Sequence, residues 1–375
     1  MKDKKNIFII AGESSGDQHA ANYIYEHLNV NPNLSFAAFG QAEIKKTPAK
    51  LIYDTEKISV IGIVEVISKY KEISNALNLA KGYIKDNKPD LIVLVDYIEF
   101  NLKIARYAKQ FNIPILFYIA PQAWAWREKR AQGFMNSISH LAVIFPFEEK
   151  FFKKYSNNVS YVGHPLGKRK DLKNNIKNYK ERTIDLGIFP GSRESEIKNN
   201  IHTMLDCVQN NKNEIIRIFY ANQTSKDLLI KLLPNSYHEY LVSGKDIENI
   251  SNCKKALCAS GTITLELAML NVPMIIVYKL SYISFLIMKG LVKVKYIGLV
   301  NLILGNEMGS QPIINEYIQP SYSDQVDIMV ELNKIDIDQV YRNNMISNYE
   351  KLRHELSTKS TRNIASIADS FLKPT

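Results

Sequence analysis

Five consecutive apolar residues, Leu91-Ile92-Val93-Leu94-Val95, run without a polar break and stop at Asp96. The run does not alternate, so it predicts a strand buried on both faces, as in parallel sheets flanked by helices. Asp96 then stands at the carboxyl end of that strand, with Tyr97, Glu99 and Asn101 behind it. Ligands of open α/β sheets gather outside the carboxyl ends of strands. A partly buried carboxylate there tends to have a pKa shifted towards acid–base work. The alternative reading makes Asp96 the cap of a helix starting near Phe100, satisfied by backbone N–H groups.

The same pattern recurs along the chain. Ile7–Ala11 predicts a strand, Ser15–Leu28 a helix with Ser14 or Ser15 as its N-cap, and Leu34–Phe39 a second strand. Helical spacing over Gly62–Lys85 and Leu102–Gln110 flanks the apolar run, and strands are predicted at Ile115–Ile119, Leu141–Phe145 and Val159–Val162. Strands separated by helices of this length indicate right-handed βαβ units. Gly167–Arg182 is polar and aperiodic and reads as an interdomain linker. Beyond it come predicted strands Thr183–Phe189, Ile215–Tyr220, Lys255–Ala259 and Met274–Tyr278, with helices near Glu196–Asn210, Lys226–Leu233 and Ile263–Leu270. Val340–Phe371 reads as helical. At 375 residues the chain exceeds what one core usually supports. The expected architecture is α/β: a Rossmann-like domain over 1–166, a second over 167–339, and helices over 340–375 packing back on the first domain or on a partner subunit.

Composition bears on partners and compartment. Cys207, Cys253 and Cys258 have no paired spacing with histidines, so neither a disulfide framework nor a zinc site is supported, which fits a reducing cytosol. The amino-terminal apolar run is too short for a signal peptide, and Leu280–Met288 falls short of the about 20 apolar residues a membrane span needs. A soluble chain is expected. A net charge of +10 favours anionic partners, whether nucleic acid, a membrane surface or phosphorylated substrates, without choosing among them.

Four segments could carry chemistry. Gly12-Glu13-Ser14-Ser15-Gly16-Asp17 joins the first strand to the first helix, where glycines allow a tight turn and the helix start offers N–H groups. It is not a dinucleotide fingerprint, and an ordinary capped turn is the competing reading. Pro190-Gly191-Ser192-Arg193 opens the second domain, with Arg193 either a planar multi-donor for a diphosphate or a solvated residue pairing with Glu194 or Glu196. Ser260-Gly261-Thr262 follows a strand and starts a helix, suiting phosphate oxygens. Glu266 there is either an acceptor for two ribose hydroxyls or a capping-box partner of Thr262. Trp124-Ala125-Trp126-Arg127 and the basic residues to Arg130 hold both tryptophans of the chain. They could stack on bases, but wall-filling tryptophans contacting a phosphorylated substrate are the favoured reading, and no recognised nucleic-acid motif is present.

Taken in order, Gly12–Asp17, Gly62-Ile63-Val64-Glu65-Val66, Asp96 with Phe100-Asn101, Trp124–Arg127, Pro146-Phe147-Glu148, Gly163-His164-Pro165, Pro190–Arg193, Ala259–Thr262, Glu266 and Asn301-Leu302 resemble the lipid-A-disaccharide synthases, glycosyltransferases of the GT-B fold. The resemblance implies two Rossmann-like domains with parallel sheets facing across a cleft. It implies inverting transfer of diacylglucosamine from UDP to the 6-hydroxyl of diacylglucosamine 1-phosphate, with no cofactor and no metal. It places the family's essential aspartate on Asp96. It also implies roles for Glu13 in catalysis and for Gly12, Ser15, Asn101, Trp126 and Arg127 in substrate binding. Gly191, Ser192, Arg193, Ser260, Gly261, Thr262, Glu266, Asn301 and Gln319 would hold the nucleotide, with Arg193 also neutralising the departing UDP. Glu99 stands where the family often has a second aspartate, and Glu316-Tyr317-Ile318-Gln319 matches the family's Glu-x-x-Gln after extra residues around Gly309–Pro312. For lipid substrates, Gly62–Ile67 and Leu280–Met288 with Lys279, Lys289, Lys293 and Lys295 offer apolar surface edged by cations. The expectation is a cytoplasmic enzyme resting on the anionic inner leaflet, with core helices as the competing reading and a homodimer left open.

Overall fold

A computed structural model describes residues 4–58, 69–121, 130–208, 214–280, 295–305, 312–357 and 362–373. The chain divides into two compact units, Met1–Pro165 with Thr358–Thr375, and Leu166–Ser357.

The first unit is built on strands β1 (Lys5–Ala11), β2 (Leu34–Gly40), β3 (Lys50–Asp54), β4 (Leu91–Val95), β5 (Ile115–Tyr118), β6 (His140–Val143) and β7 (Val159–Tyr161). They form one sheet in the order β3-β2-β1-β4-β5-β6-β7, every pair parallel. All of Leu91–Val95 is buried, as an apolar run covered on both faces requires. Phe8, Ile10, Ile92, Leu94 and Phe117 pack against Ala76, Ala80 and Ile84 of the helix Tyr70–Asn87 and against Phe100 and Ile104 of the helix Ile98–Ala108. The chain reverses direction of winding between β1 and β4, so the loops after these two strands border a topological switch point.

The second unit repeats the scheme with β8 (Ile184–Phe189), β9 (Ile216–Tyr220), β10 (Leu241–Ser243), β11 (Cys253–Cys258), β12 (Met274–Tyr278) and β13 (Glu316–Ile318). The order is β10-β9-β8-β11-β12-β13, again all parallel, with the switch point between β8 and β11.

Several sequence expectations require correction. Strands β3, β10 and β13 were not foreseen, because their residues are mostly half-buried and show no uninterrupted apolar run. The helix Tyr322–Ile337 was also missed: Ile328, Leu332 and Ile335 face the core, while Val326 and Val330 on the other side are exposed and blur the pattern. Gly167–Arg182, expected to be an interdomain linker, begins just after the boundary between the units and is structured. It holds the helix Lys170–Asn174, and Arg182 is buried, its guanidinium donating to the carbonyls of Lys177, Cys253, Leu270 and Asn271 at 2.7–3.3 Å. The helical 340–375 segment is divided. Gln339–Ser357 buries Met345, Tyr349, Leu352 and Leu356 in the second unit, whereas Ile364–Leu372 belongs to the first. Asn363 caps the new helix by accepting from Ser366 N at 2.9 Å. There, His27 bridges Tyr23 Oη and Asp369 Oδ1, each at 2.9 Å. Finally, the first helix is Ser14–Val30, so Glu13 rather than a serine occupies its N-cap. Gly62–Ile67, residues 281–288, Lys289, Lys293, Trp124, Trp126, Arg127 and residues 309–311 lie outside the described residues.

Candidate functional site

In the first unit, Ala11 of β1 lies in register with Val95 of β4, which sets Gly12 and Asp96 side by side at the switch point. Asp96 (φ 48°) and Tyr97 (φ 46°) are consecutive non-glycine residues in the left-handed region, as is the β-branched Ile119 (φ 70°) after β5. Each such residue costs on the order of 1 kcal/mol, and such strain persists only where its surroundings over-determine it. Those surroundings are visible here. Asp96 N–H donates to Tyr118 O at 3.0 Å, and Asp96 O accepts from Asn101 Nδ2 at 2.7 Å. Tyr97 Oη donates to Ile58 O at 3.0 Å, and burial pushes its hydroxyl up to about 12, with the Glu13 carboxylate adding to the rise. The Tyr97 ring lies so close over Gly12 that an added Cβ would stand 2.2 Å from ring carbons, so only glycine fits.

The capping alternative for Asp96 therefore fails, since Tyr97 is the N-cap of Ile98–Ala108. Asn101 backs the same turn. It is fully buried, its amide also reaches Val95 O at 3.3 Å, and its Oδ1 has no partner among the described residues. It shapes the Asp96 turn from beneath. Glu13 is half-buried and Ser15 exposed at the start of the first helix. Glu99 sits 3.7 Å from Arg130, both well exposed.

Sequence reasoning missed the purpose of Asp17. Its buried carboxylate accepts from the N–H groups of Gln41 (2.6 Å), Glu43 (2.7 Å) and Ile44 (3.4 Å), while Gln41 Nε2 donates to Gly12 O at 3.1 Å. It also missed His19, whose ring packs 6.0 Å from that of Tyr118 and whose Nδ1 has no partner among the described residues. Burial lowers His19 to about 4 and His164, of the Gly-His-Pro triplet, to about 3, with His19 adding to the latter shift. Both imidazoles are neutral near pH 7.

In the second unit, Cys258 lies in register with Phe189, so the Pro190–Arg193 loop abuts the Ser260–Thr262 loop across the switch point. Gly191 (φ 119°) turns the chain where a Cβ would strike Glu196 at 2.6 Å. Glu196 accepts from Ser192 N (3.1 Å), Arg193 N (3.3 Å) and Arg193 Nη1 (3.3 Å). The alternative reading of Arg193 as a partner of Glu196 thus describes the structure, and the Ser192 and Arg193 amides are engaged by that carboxylate. Ser260 Oγ donates to Ile297 O at 3.0 Å, and at the start of the helix Thr262–Met269 Thr264 N–H donates to Gly261 O at 3.1 Å, while the amides before it have no preceding helical turn to donate to.

Asn301 likewise ties main-chain segments together. It is buried, with Nδ2 bound to Ile314 O (2.7 Å) and Glu316 Oε1 (2.6 Å), and its Oδ1 accepts from Ile313 N (2.9 Å) and Ile314 N (3.1 Å). Glu316 in turn accepts from Ile297 N (2.8 Å) and Gly298 N (3.0 Å), which fixes the segment that Ser260 touches. Gln319 (φ 56°) pairs its amide both ways with the Leu280 main chain, at 2.9 and 3.0 Å.

Glu266 is no capping residue, since Gly261 is the N-cap of its helix and makes no side-chain cap. Its carboxylate accepts from Arg169 Nη1 at 3.0 Å, and the two border a cavity of ≈ 180 Å³ completed by Gly244, Lys245, Ile247 and Leu270. Arg169 lies in the segment expected to be a linker, where nothing in its local pattern marked it. Among the described residues no cluster of three or more His, Cys, Asp or Glu could hold a metal.

The family model described as lipid-A-disaccharide synthetase matches residues 7–368. The chain belongs to the lipid-A-disaccharide synthase family. It is 32% identical to the lipid-A-disaccharide synthase of Nitrosococcus oceani over 98% of this chain and 96% of that one. It is 33% identical to lipid-A-disaccharide synthase 1 of Legionella pneumophila over 96% and 95%. Among solved structures, the glycotransferase of kitacinnamycin matches at TM-score 0.61 and 11% identity over 98% of this chain and 99% of that one. The UDP-GlcNAc 2-epimerase from Neisseria meningitidis bound to UDP-GlcNAc matches at 0.59 and 12% over 99% and 100%. These likenesses show the fold, which is GT-B. Membership of the synthase family makes the chain an enzyme, a glycosyltransferase of lipid A biosynthesis. No helix among the described residues is long and apolar enough to cross a membrane.

Proposed function

We propose that the chain transfers 2,3-diacylglucosamine from UDP to 2,3-diacylglucosamine 1-phosphate, forming the β-1′,6-linked disaccharide 1-phosphate and releasing UDP. The observation that carries the reading is Asp96, a carboxylate held in strained backbone at the switch point of the first unit. Asp96 takes the proton of the acceptor's 6-hydroxyl as its oxygen bonds to the anomeric carbon. The bond from that carbon to the UDP oxygen breaks on the opposite side, which inverts the centre, and its electron pair leaves with UDP.

Donor binding falls to the second unit. The first-turn amides at Gly261 and Thr262 and the Arg193 cation stabilise the diphosphate charge that grows during bond cleavage. For Arg193 to do so, its guanidinium turns from Glu196, a 3.3 Å contact that is half exposed. Glu266 accepts from the ribose hydroxyls, and the adjoining cavity receives the nucleoside. Glu13 and Ser15, at the lip of the Asp96 site, orient the acceptor. The net charge of +10 supports peripheral binding of the anionic cytoplasmic leaflet, where each Lys contributes roughly 1 kcal/mol.

UDP release is the decisive assay. Release from UDP-diacylglucosamine only when the monosaccharide phosphate is added supports the reading. Turnover of unacylated UDP-N-acetylglucosamine, without any from the acylated donor, overturns it in favour of another GT-B activity. Flotation with anionic but not neutral liposomes is expected, and absence from both removes the membrane assignment.

A further inference from the structure

Arg169 stands between two carboxylates. Its Nη1 donates to Glu266 Oε1 at 3.0 Å, its Nη2 to Asp171 Oδ2 at 2.6 Å, and its Nε to both Asp171 oxygens at 3.2 Å. The fork grips Asp171 side-on and presents its remaining edge to Glu266, a geometry that a lysine ammonium reproduces only as a point charge. Glu266 is one-quarter exposed and shares the cavity with apolar Leu172, Ile250 and Leu270. Burial raises its pKa and is the largest influence, Arg169 lowers it, and the Asp171 carboxylate adds a smaller rise, with the Lys245 side chain lining the same cavity. An ionised carboxylate offers about four lone-pair sites, of which Arg169 takes one, leaving room for two hydroxyl donors. A protonated carboxyl loses part of that capacity and becomes a donor itself.

We propose that Arg169, anchored by Asp171, is a positioning residue that keeps the Glu266 side chain an oriented, charged acceptor for a vicinal diol, the 2′,3′-diol of a uridine nucleotide. The proposal rests on reading this cavity as the nucleotide site. Arg169 itself need touch no part of the ligand. Its effect is exerted through Glu266, so it should appear as a dependence on pH and on the diol rather than as a uniform loss of affinity.

The test is calorimetric titration of UDP and of 2′-deoxy-UDP into the full chain, from about pH 8.5 to about pH 5.5. The unaltered protein, Arg169→Gln and Arg169→Lys are compared, with thermal unfolding of each to confirm a native fold. Each variant is read as its affinity relative to the unaltered protein at the same pH, because the terminal phosphate of UDP also changes charge near about pH 6. For Arg169→Gln it should match the unaltered value within a few-fold at the alkaline end and fall by about tenfold or more at the acid end, as Glu266 takes up a proton. Arg169→Lys should restore most of the affinity lost at the acid end. The preference for UDP over 2′-deoxy-UDP should shrink in Arg169→Gln at low pH alone. A loss that is equal at every pH, or no loss, overturns the proposal while leaving the nucleotide site in place. Absence of UDP binding to the unaltered protein at any pH overturns the nucleotide reading and this proposal with it.

Discussion

The Tyr118 carbonyl, the Asn101 side-chain amide, the Ile58 carbonyl and the face of Gly12 are among the groups that hold Asp96 and Tyr97. The strained turn is therefore only as good as its packing. Gly12→Ala is expected to force the Tyr97 ring aside, cost about 1–3 kcal/mol in unfolding free energy and slow turnover, because Asp96 shifts with its neighbour. Thermal unfolding and a rate measurement on the same sample check it, and a native melting temperature with full activity would contradict the tight contact. Asp96→Asn keeps the shape and removes the base. Turnover should fall by about 10²–10⁴-fold, while UDP affinity and melting temperature stay near their unaltered values. Residue types alone singled out Asp96 because a charge after an apolar run is conspicuous. They said nothing of how Asn101 and Asn301 are held, since a buried asparagine that ties loops together carries no local mark.

Among the elements, the segment before β8 departs furthest from its sequence pattern. Polar and aperiodic residues suggested a linker, yet Arg182 converts the segment into a strap by satisfying carbonyls at the start of β11 and the end of the helix Thr262–Met269. Burial lowers its pKa to about 10, which still leaves it charged near pH 7. Arg182→Ala strands those buried carbonyls and should destabilise the second unit by roughly 3–5 kcal/mol. Denaturant unfolding measures this, and a loss within about 0.5 kcal/mol would show that water replaces the guanidinium without penalty. The missed strands β3, β10 and β13 share one cause: half-buried edge strands need no apolar run, so periodicity has little to report.

At the scale of the molecule, mild acidification to about pH 5 is expected to weaken the first unit more than the second. His19 and His140 are lowered to about 4 and His164 to about 3, burial being the first cause for each, and all three lie in the first unit. A histidine depressed in the folded state binds its proton more readily when unfolded. Its contribution is complete above the unfolded value near 6.5 and is lost as pH falls towards the folded value. At about pH 5 the loss is on the order of 2 kcal/mol per histidine. In the second unit, burial raises Glu266 and Glu316, so acidification there relieves a penalty instead. Scanning calorimetry of the full chain at about pH 7.5, 6 and 5 should show the transition of the first unit moving down and away from that of the second. Parallel movement of both would contradict the burial of these histidines.

The apolar runs were sufficient to announce two parallel α/β sheets, because burial on both faces writes itself into consecutive residues without help from distant parts of the chain. The placement of Asp96, Ser260 and Arg193 just after strands was legible for the same reason, each following its own local run. Strand order was not. That β4 lies beside β1, and β11 beside β8, results from summed packing and long-range pairing, which no short window contains. The contacts that depend on this order stayed hidden until the chain was folded: Tyr97 over Gly12, the Asp17 carboxylate on the backbone after β2, and Arg169 on Glu266 across a separation of 97 residues.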